Sequence, residues 1–220
     1  PAVRIMHTCR DRKIRSTAVY STPDRLAHHV TMADAAVHIG EAPPVESYLN
    51  MDRIIDAALR SKADAVHAGW GFLAENAAFA RRVIDAGLTW IGPPPDVIGR
   101  LGDKIEAKQI ARAANVPVIP GIDHVTEAEQ VRRWMREENV SFPVMLKAAG
   151  GGGGRGMVKV EHDAHLHMAI GQARSEAKKF FGSETVLAEK YVERGRHIEV
   201  QIIADAHGNV VHLYERECTI

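Results

Sequence analysis

The sequence predicts an α/β protein in which a parallel-sheet domain is followed by an α+β domain with an antiparallel sheet. Over residues 1–100, short β-branched runs alternate with amphipathic helical segments, which is typical of parallel strands covered by helices. After Pro93-Pro94-Pro95 the pattern changes to strand, glycine loop, strand, helix and strand, which indicates an antiparallel sheet. We therefore place a domain boundary near residue 100 and expect domains at 1–100 and 101–220.

The elements of the first domain follow from hydrophobic periodicity. Ile54, Ile55, Ala58 and Leu59, for example, share one face of a helix. The patterns predict helices over 3–12, 52–59 and 76–86 and buried strands over 14–20, 63–67 and 88–91.

The second domain opens with helix start signals. Asp103 can cap a helix that runs to about Ala114 and ends before Val116-Pro117. Residues Thr126 to Glu129 form the pattern of a capping box at the start of a second helix. Beyond it, we expect a helix over 163–179, a turn over 205–209 and strands over 143–147, 156–160, 185–189, 198–204 and 210–215.

Composition excludes some classes of function. The chain is 45% hydrophobic and 25% charged, and 28 Lys and Arg balance 28 Asp and Glu. That balance provides no field to attract nucleic acid or an anionic membrane, and no apolar run is long enough to cross a bilayer. Cys9 and Cys218 are too far apart to indicate a disulfide framework or a metal site, which fits a reducing compartment. Both ends of the chain look cut, because the first residues resemble the inside of a helix and the last a strand.

The strongest chemical signal is a run of five glycines, Gly150 to Gly154, between two apolar strands. Such a run costs folding entropy and buries no side chain, but its backbone N–H groups can approach a phosphate closely. A flexible hairpin tip is the alternative. The run opens a strand and not a helix, so it differs from a dinucleotide fingerprint, and it lacks the G-K-[S/T] of a P-loop. Lys147, at the end of the incoming strand, would bind the phosphates as a point charge.

Two further patterns are weaker. In the strand after Arg196, period two places His197, Glu199 and Gln201 on one face and the apolar residues Ile198, Val200 and Ile202 on the other. The polar face could line a site or be merely solvated. His162, His165 and His167 lie close together, but in a chain with 12 histidines we interpret them as a chance cluster on a solvated helix and assign no metal ligands.

Taken together, the motifs resemble the ATP-grasp fold and, within it, the biotin carboxylases. The resemblance covers nearly the whole chain, and the segments that carry it are residues 47–49, 66–76, 91–93, 102–104, 116–121, 147–157, 189–191, 196–201 and 215–218. Ala68 and Trp70 stand where many relatives have Pro and Tyr, a variant similar to some acyl-CoA carboxylases of fatty acid metabolism. The resemblance implies a pre-ATP-grasp domain followed by part of an ATP-grasp domain, with a lid subdomain at about 119–191.

The resemblance also implies roles for individual residues. Lys104 and Lys147 are similar to the two phosphate-binding lysines of the family, and Gly153 and Gly154 to its lid glycines. The other expected ATP-binding residues are Met157 against the adenine ring, His197 near the ribose and phosphates, and the hinge positions Glu189, Lys190 and Val192. The segment from His67 to Asn76 is expected to be architectural. Catalytic residues and metal ligands are expected beyond Ile220, so this stretch alone is expected to be inactive.

The intact protein is expected to be a cytoplasmic ligase, or a mitochondrial one in a eukaryote. It would use MgATP and bicarbonate to form carboxyphosphate and then carboxylate biotin. The implied partners are a biotin carboxyl carrier, a carboxyltransferase and a second copy in a homodimer, with no role for nucleic acid or a membrane. Two alternatives remain open: another ATP-grasp ligase, such as an enzyme that makes carbamoyl phosphate, and a non-catalytic fragment that binds only nucleotide or a partner.

Overall fold

A computed structural model describes residues 1–150 and 155–219 of the chain. The fold divides into two compact units, Pro1–Pro117 and Val118–Ile220. Each unit has its own sheets, so the two are described separately.

The first unit alternates helices and parallel strands, which confirms the α/β prediction. Its helices are α1 (Ala2–Asp11), α2 (His28–Met32), α3 (Met51–Arg60), α4 (Ala77–Asp85), α5 (Pro95–Gly102) and α6 (Lys104–Ala113). Its strands are β1 (Thr17–Ser21), β2 (Ala35–Gly40), β3 (Ala65–Val66) and β4 (Thr89–Trp90). Strand β1 pairs in parallel with β2, and β3 pairs in parallel with β4.

Side-chain caps and an apolar cluster explain where the helices of this unit lie. Asn50 accepts a hydrogen bond from the backbone N–H of Arg53, and Asn76 accepts one from that of Phe79, so α3 and α4 both begin at an asparagine cap. Phe79 is 1% exposed and meets Trp90 edge to face, with ring centroids 5.7 Å apart. The cluster is completed by Leu73, Val83 and Leu88, with Ile54, Ile55 and Ala58 of α3 packed against it.

The second unit is an α+β structure, as predicted. Its helices are α7 (Ala128–Glu137) and α8 (Leu166–Phe181), and its strands are β5 (Gly121–Ile122), β6 (Val144–Ala148), β7 (Met157–Val160), β8 (Val186–Lys190), β9 (Ile198–Ala204) and β10 (Val210–Glu217). Strands β5 to β8 form an antiparallel sheet in the order β5-β8-β6-β7, and β9 and β10 form a separate antiparallel ribbon.

The two helices of the second unit pack on one face of the four-stranded sheet. The fully buried residues of that core include Val144, Leu146, Val160, Leu166, Ala173, Val186 and Ala188, each 1% exposed or less. Since side chains alternate along a strand, the intervening residues of β6, β7 and β8 lie on the opposite face.

The structure corrects several details of the prediction. Strand β2 was not predicted. The capping box lies one residue later than expected, because Glu127 and Gln130, not Thr126 and Glu129, make the reciprocal hydrogen bonds. The helix expected over 163–179 begins instead with a 3₁₀ turn, Asp163–His165, and α8 ends at Gly182 with φ +73°. By contrast, Asp103 caps α6 as predicted, accepting from the N–H groups of Ile105 and Glu106.

The ribbon β9–β10 has the predicted strands, and the apolar residues of β9 are exposed. Its strands lie where predicted, and Asp205 closes the turn by accepting hydrogen bonds from the N–H groups of His207 and Asn209. However, Ile198, Val200 and Ile202 are 45–59% exposed. Within the described residues, therefore, the apolar side of β9 is not buried.

Candidate functional site

Strands β6 and β7 hold the two ends of the glycine loop together. Lys147 is paired with Met157, and the N–H of Ala148 donates to the carbonyl of Gly156 at 2.8 Å. The N–H of Ala149 donates to the carbonyl of Thr185 at 3.0 Å, which anchors the loop on the side of β8. The predicted strand–loop–strand arrangement is thus confirmed at both ends of the loop. Gly153 and Gly154, the expected lid glycines, lie outside the described residues.

Gly156 is the position in this region where the backbone itself requires glycine. Its φ is +67°, in the left-handed region, and an added Cβ would lie 3.0 Å from Ala148 Cβ and 3.1 Å from the Phe181 ring. The backbone of the loop therefore leaves the sheet in direct contact with the end of α8.

The face of the sheet opposite α7 and α8 carries three of the predicted site residues, Lys147, Met157 and Glu189. Strand β6 contributes Met145 and Lys147, β7 contributes Met157 and Lys159, and β8 contributes Leu187 and Glu189; they alternate with the core residues of each strand. The register makes two rows across the face: Met157, Lys147 and Leu187 form one, and Lys159, Met145 and Glu189 form the other. We call these six residues the open face of the sheet, although Leu187 and Glu189 are themselves buried, at 0% and 5% exposure.

An ion pair between a half-buried lysine and a buried glutamate lies at the centre of the open face. Lys147 Nζ is 2.6 Å from Glu189 Oε2, and the two side chains are 23% and 7% exposed. Charged side chains are rarely buried to this degree, because desolvation must be offset by pairing and hydrogen bonds. The ion pair places the Lys147 ammonium next to the glycine loop. Glu189, on the neighbouring strand β8, fixes the direction of the lysine side chain.

The expected hinge continues from β8. The N–H of Lys190 donates to the carbonyl of Pro120 at 3.0 Å, and the N–H of Tyr191 donates to that of Pro143 at 3.3 Å, so both amides are occupied. Val192 is 51% exposed, and within the described residues its N–H donates to no other backbone group. Met157, expected against the adenine ring, is 43% exposed on the open face. An exposed methionine can pack against a flat aromatic ring, and a backbone N–H can donate to a hydrogen-bond acceptor on that ring.

Two predicted residues are not part of this sheet. His197 directly precedes β9; its N–H donates to Thr219 Oγ1 at 2.9 Å, and its carbonyl accepts from Cys218 at 2.8 Å. Its side chain is exposed, and the structure places it next to the ribbon and not on the open face. Lys104 is half-buried at the first position of α6, directly after the Asp103 cap, and belongs to the first unit.

The segment from His67 to Asn76 forms a turn with left-handed glycines. His67 Nδ1 accepts a hydrogen bond from the Gly69 N–H at 2.9 Å, and Gly69 and Gly71 have φ values of +76° and +75°. Asn76 caps α4. His67 and Phe72 also line a mainly apolar cavity of about 180 Å³ in the first unit.

Outside the open face, many ion pairs of the described residues are exposed, whereas Tyr48 makes a half-buried hydrogen bond. The Tyr48 hydroxyl donates to Asp24 at 2.5 Å, and this hydrogen bond, with another from Ser21, lowers the pKa of Asp24. Burial, followed by the same contact with Asp24, raises the pKa of Tyr48.

The His162 and His165 rings are 6.2 Å apart, and the part of the chain that the structure describes contains no group of three or more His, Cys, Asp or Glu that could hold a metal ion.

Sequence reasoning missed the Lys147–Glu189 ion pair and also a contact between Lys159 of the open face and Tyr191. Lys159 Nζ lies 4.7 Å from the centre of the Tyr191 ring and 2.8 Å from Glu161 Oε1. The period-two spacing from Met157 to Lys159 was a usable signal, because it assigns both residues to one face. Nothing local, however, pairs residue 159 with residue 191.

Among the described residues, no helix is long and apolar enough to span a membrane.

Comparison with known families agrees with this geometry. Residues 103–220 match the family described as carbamoyl-phosphate synthase L chain, ATP binding domain. The second unit, with its glycine loop and half-buried lysine, is thus an ATP-binding domain of the ATP-grasp class. Residues 1–98 match the family described as biotin carboxylase, N-terminal domain. The chain therefore belongs to the biotin carboxylase family.

Individual relatives support the same assignment over the whole chain. It is 48% identical over 219 residues to biotin carboxylase of Halalkalibacterium halodurans, covering 100% of this chain and 48% of that protein. Among solved structures, a biotin carboxylase–β,γ-ATP complex from Campylobacter jejuni has a TM-score of 0.92 at 43% identity, covering 99% of this chain and 48% of that one. The biotin carboxylase domain dimer of Hydrogenobacter thermophilus 2-oxoglutarate carboxylase, in complex with MgADP, ADP and bicarbonate, has a TM-score of 0.91 at 41% identity, with 100% and 48% coverage. The chain thus spans about half the length of these relatives.

Proposed function

We propose that this chain is the ATP-binding part of a biotin carboxylase and that the open face binds the nucleotide. The observation that carries the proposal is the ion pair of half-buried Lys147 with buried Glu189 beside the glycine loop. A lysine held there can contact the phosphates, while Met157 lies directly across from it on β7 and the segment 189–192 lies further along the same sheet. The assignments of Lys104, Gly153, Gly154 and His197 as further ATP contacts belong to the same proposal and come from the resemblance.

The reaction of the whole protein follows the family. Bicarbonate would attack the γ-phosphorus of ATP to give carboxyphosphate and ADP, and the carboxyl group would then pass to N1 of biotin with release of phosphate. Such phosphoryl transfer needs Mg²⁺ on the phosphates. We assign no metal-dependent step to the described residues. Their proposed contribution is to bind and orient ATP.

The proposal extends to domains and partners. A pre-ATP-grasp domain would occupy 1–100 and part of an ATP-grasp domain 101–220, with a lid subdomain at about 119–191. The expected partners are a biotin carboxyl carrier, a carboxyltransferase and a second copy of the chain, in a cytoplasmic or mitochondrial setting. The dimeric structure of the Hydrogenobacter relative supports the homodimer.

The nucleotide assignment is tested by replacing Lys147 with methionine, which keeps most of the side-chain volume and removes the charge. Loss of one charged hydrogen bond should weaken the binding of a non-hydrolysable ATP analogue by about 1.5–3 kcal/mol, measured by calorimetry. The matched control is Lys178→Met, because Lys178 also has a carboxylate partner, Glu184 at 2.7 Å, but lies on exposed α8. The affinity of the Lys178→Met variant for the ATP analogue should not change.

A second variant separates binding from folding. Lys147→Met leaves the buried Glu189 without its ion-pair partner Lys147, so the variant could lose affinity by losing structure. The double variant Lys147→Met/Glu189→Gln removes both charges and should fold while still binding the analogue weakly. Wild-type affinity in either folded variant would contradict the assignment of Lys147 to the phosphates.

A further inference from the structure

A cation–π contact connects the edge strand β7 to the segment that follows β8. The Lys159 ammonium lies 4.7 Å from the centre of the Tyr191 ring and donates to Glu161 Oε1 at 2.8 Å. The ammonium is therefore held between a carboxylate and the negative face of an aromatic ring. The hydrogen bond from Lys159 to Glu161 is the main cause that raises the pKa of Lys159, so the group stays charged at neutral pH.

Strand register shows why this contact spans the open face. Val160, the last residue of β7, and Lys190, the last residue of β8, both pair with Val144 of β6. Glu161 and Tyr191 therefore leave the sheet at the same level, on either side of β6. The Lys159–Tyr191 contact crosses over the beginning of β6 and joins two strands that are not neighbours.

The position along the sheet identifies which part of a nucleotide the contact would affect. The glycine loop follows Ala148 at one end of β6, and Tyr191 lies near Val144 at the other. Four residues of strand separate these ends, about 13 Å at the usual rise of roughly 3.3 Å per residue. If phosphates bind at the glycine loop, a nucleotide that extends along β6 would bring its base between Met157, which lies opposite Lys147 on β7, and Tyr191 at the other end of β6.

We propose that Lys159 and Tyr191 form a positioning pair that fixes the spacing between Met157 and the segment 189–192 and thereby selects the adenine ring. The proposal rests on the nucleotide-binding function proposed above. Strand β7 is an edge strand, held by hydrogen bonds to β6 on one side only. Met157 is two residues before Lys159 on that strand, and Tyr191 lies inside the expected hinge. A contact between Lys159 and Tyr191 therefore limits how far the two walls of the base site can separate.

The experiment compares ATP, GTP and adenosine binding to variants of the full chain by NMR titration. Lys159→Met should weaken the binding of ATP and of adenosine by the same factor, about two- to five-fold, and should reduce the preference for ATP over GTP. Lys159→Arg and Tyr191→Phe keep the cation and the ring and should remain close to wild type. Tyr191→Leu should weaken the binding of ATP and adenosine by the same factor as Lys159→Met. The double variant Lys159→Met/Tyr191→Leu should lose no more affinity than either single variant.

Each other outcome would overturn the proposal in a distinguishable way. If Lys159→Met lowers thermal stability but leaves the preference for ATP over GTP unchanged, the contact is only structural. If ATP weakens while adenosine does not, Lys159 acts on the phosphates and not on the base. If the wild-type chain binds no nucleotide, or Lys147→Met has no effect, the nucleotide site itself is wrong, and the role of the pair fails with it.

Discussion

Replacing Gly156 with alanine should destabilise the second unit far more than replacing other glycines nearby. Gly156 lies where the glycine loop joins β7, with φ +67°, and an added Cβ would lie 3.0 Å from Ala148 Cβ and 3.1 Å from the Phe181 ring. Two separate penalties follow: one is backbone strain, and the other is a collision with the side of the core formed by β6 and α8.

The magnitude follows from adding the two effects. A left-handed backbone costs a non-glycine residue about 1–2 kcal/mol. Inserting a methyl group into a packed site costs about 1–3 kcal/mol. Ala148 Cβ is fixed by its strand and cannot yield as the end of a flexible side chain would, so we expect Gly156→Ala to lower the free energy of unfolding by about 2–5 kcal/mol.

Two other glycines of the same unit separate these contributions. Gly182 ends α8 with φ +73°, but its added Cβ would meet nothing within 4 Å, so Gly182→Ala should cost only the strain of about 1–2 kcal/mol. Gly171 lies within α8, where its added Cβ also meets nothing within 4 Å. Gly171→Ala should stabilise the helix by about 0.5–1 kcal/mol.

Urea unfolding followed by fluorine NMR would measure the three effects. Trp134 is buried at 6% exposure in the second unit, whereas the other tryptophans, Trp70 and Trp90, belong to the first. A 5-fluorotryptophan label therefore reports the second unit through its own resonance. Equal costs for Gly156→Ala and Gly182→Ala would show that the contacts with Ala148 and Phe181 yield freely, and no cost at Gly156 would refute the reasoning altogether.

Two further predictions concern the first unit. Asp103→Ala removes the side chain that accepts the N–H groups of Ile105 and Glu106, so urea unfolding should show a loss of about 1 kcal/mol, and Asp103→Asn should lose less. Tyr48→Phe removes the main hydrogen bond that lowers the pKa of Asp24. A lowered carboxyl pKa stabilises the fold above the unfolded value of about 3.9 and stops doing so as the pH falls through the folded pKa. Tyr48→Phe should therefore be less stable than wild type at pH 6, and the difference should shrink as the pH falls below about 3.9 and through the lowered folded pKa of Asp24. A difference independent of pH would contradict this account.

The features that the sequence predicted well are those encoded by neighbouring residues. Asp103 caps α6 because its side chain needs only the next turn of backbone, and β9 spans the predicted residues because a period-two run bounded by a turn is a local pattern. The glycine loop belongs to the same group, since five glycines between two apolar strands are visible without any partner.

The features that were missed depend on distant residues. Strand β2 begins with two alanines, which have low strand propensity, and forms because β1 offers a parallel partner. Strands β3 and β4 are two residues long although longer apolar runs were predicted, because a strand extends only as far as its partner pairs with it. The shift of the capping box from Thr126 to Glu127 arises from Gln130, whose Oε1 accepts both N–H groups and so permits either residue to begin the helix pattern.

The arrangement of Lys147 and Glu189 illustrates what register adds to a correct choice of residue. The sequence marks Lys147 as a phosphate ligand, but Glu189 was expected to contribute through the backbone of the hinge. Pairing of Met145 with Glu189, and of Lys147 with Leu187, makes Lys147 and Glu189 diagonal neighbours on one face. Ordering a free lysine side chain costs up to about 2 kcal/mol of rotamer entropy. In this fold Glu189 already orders Lys147 before any ligand arrives, so a bound phosphate would meet a preorganised cation and lose less affinity to side-chain ordering.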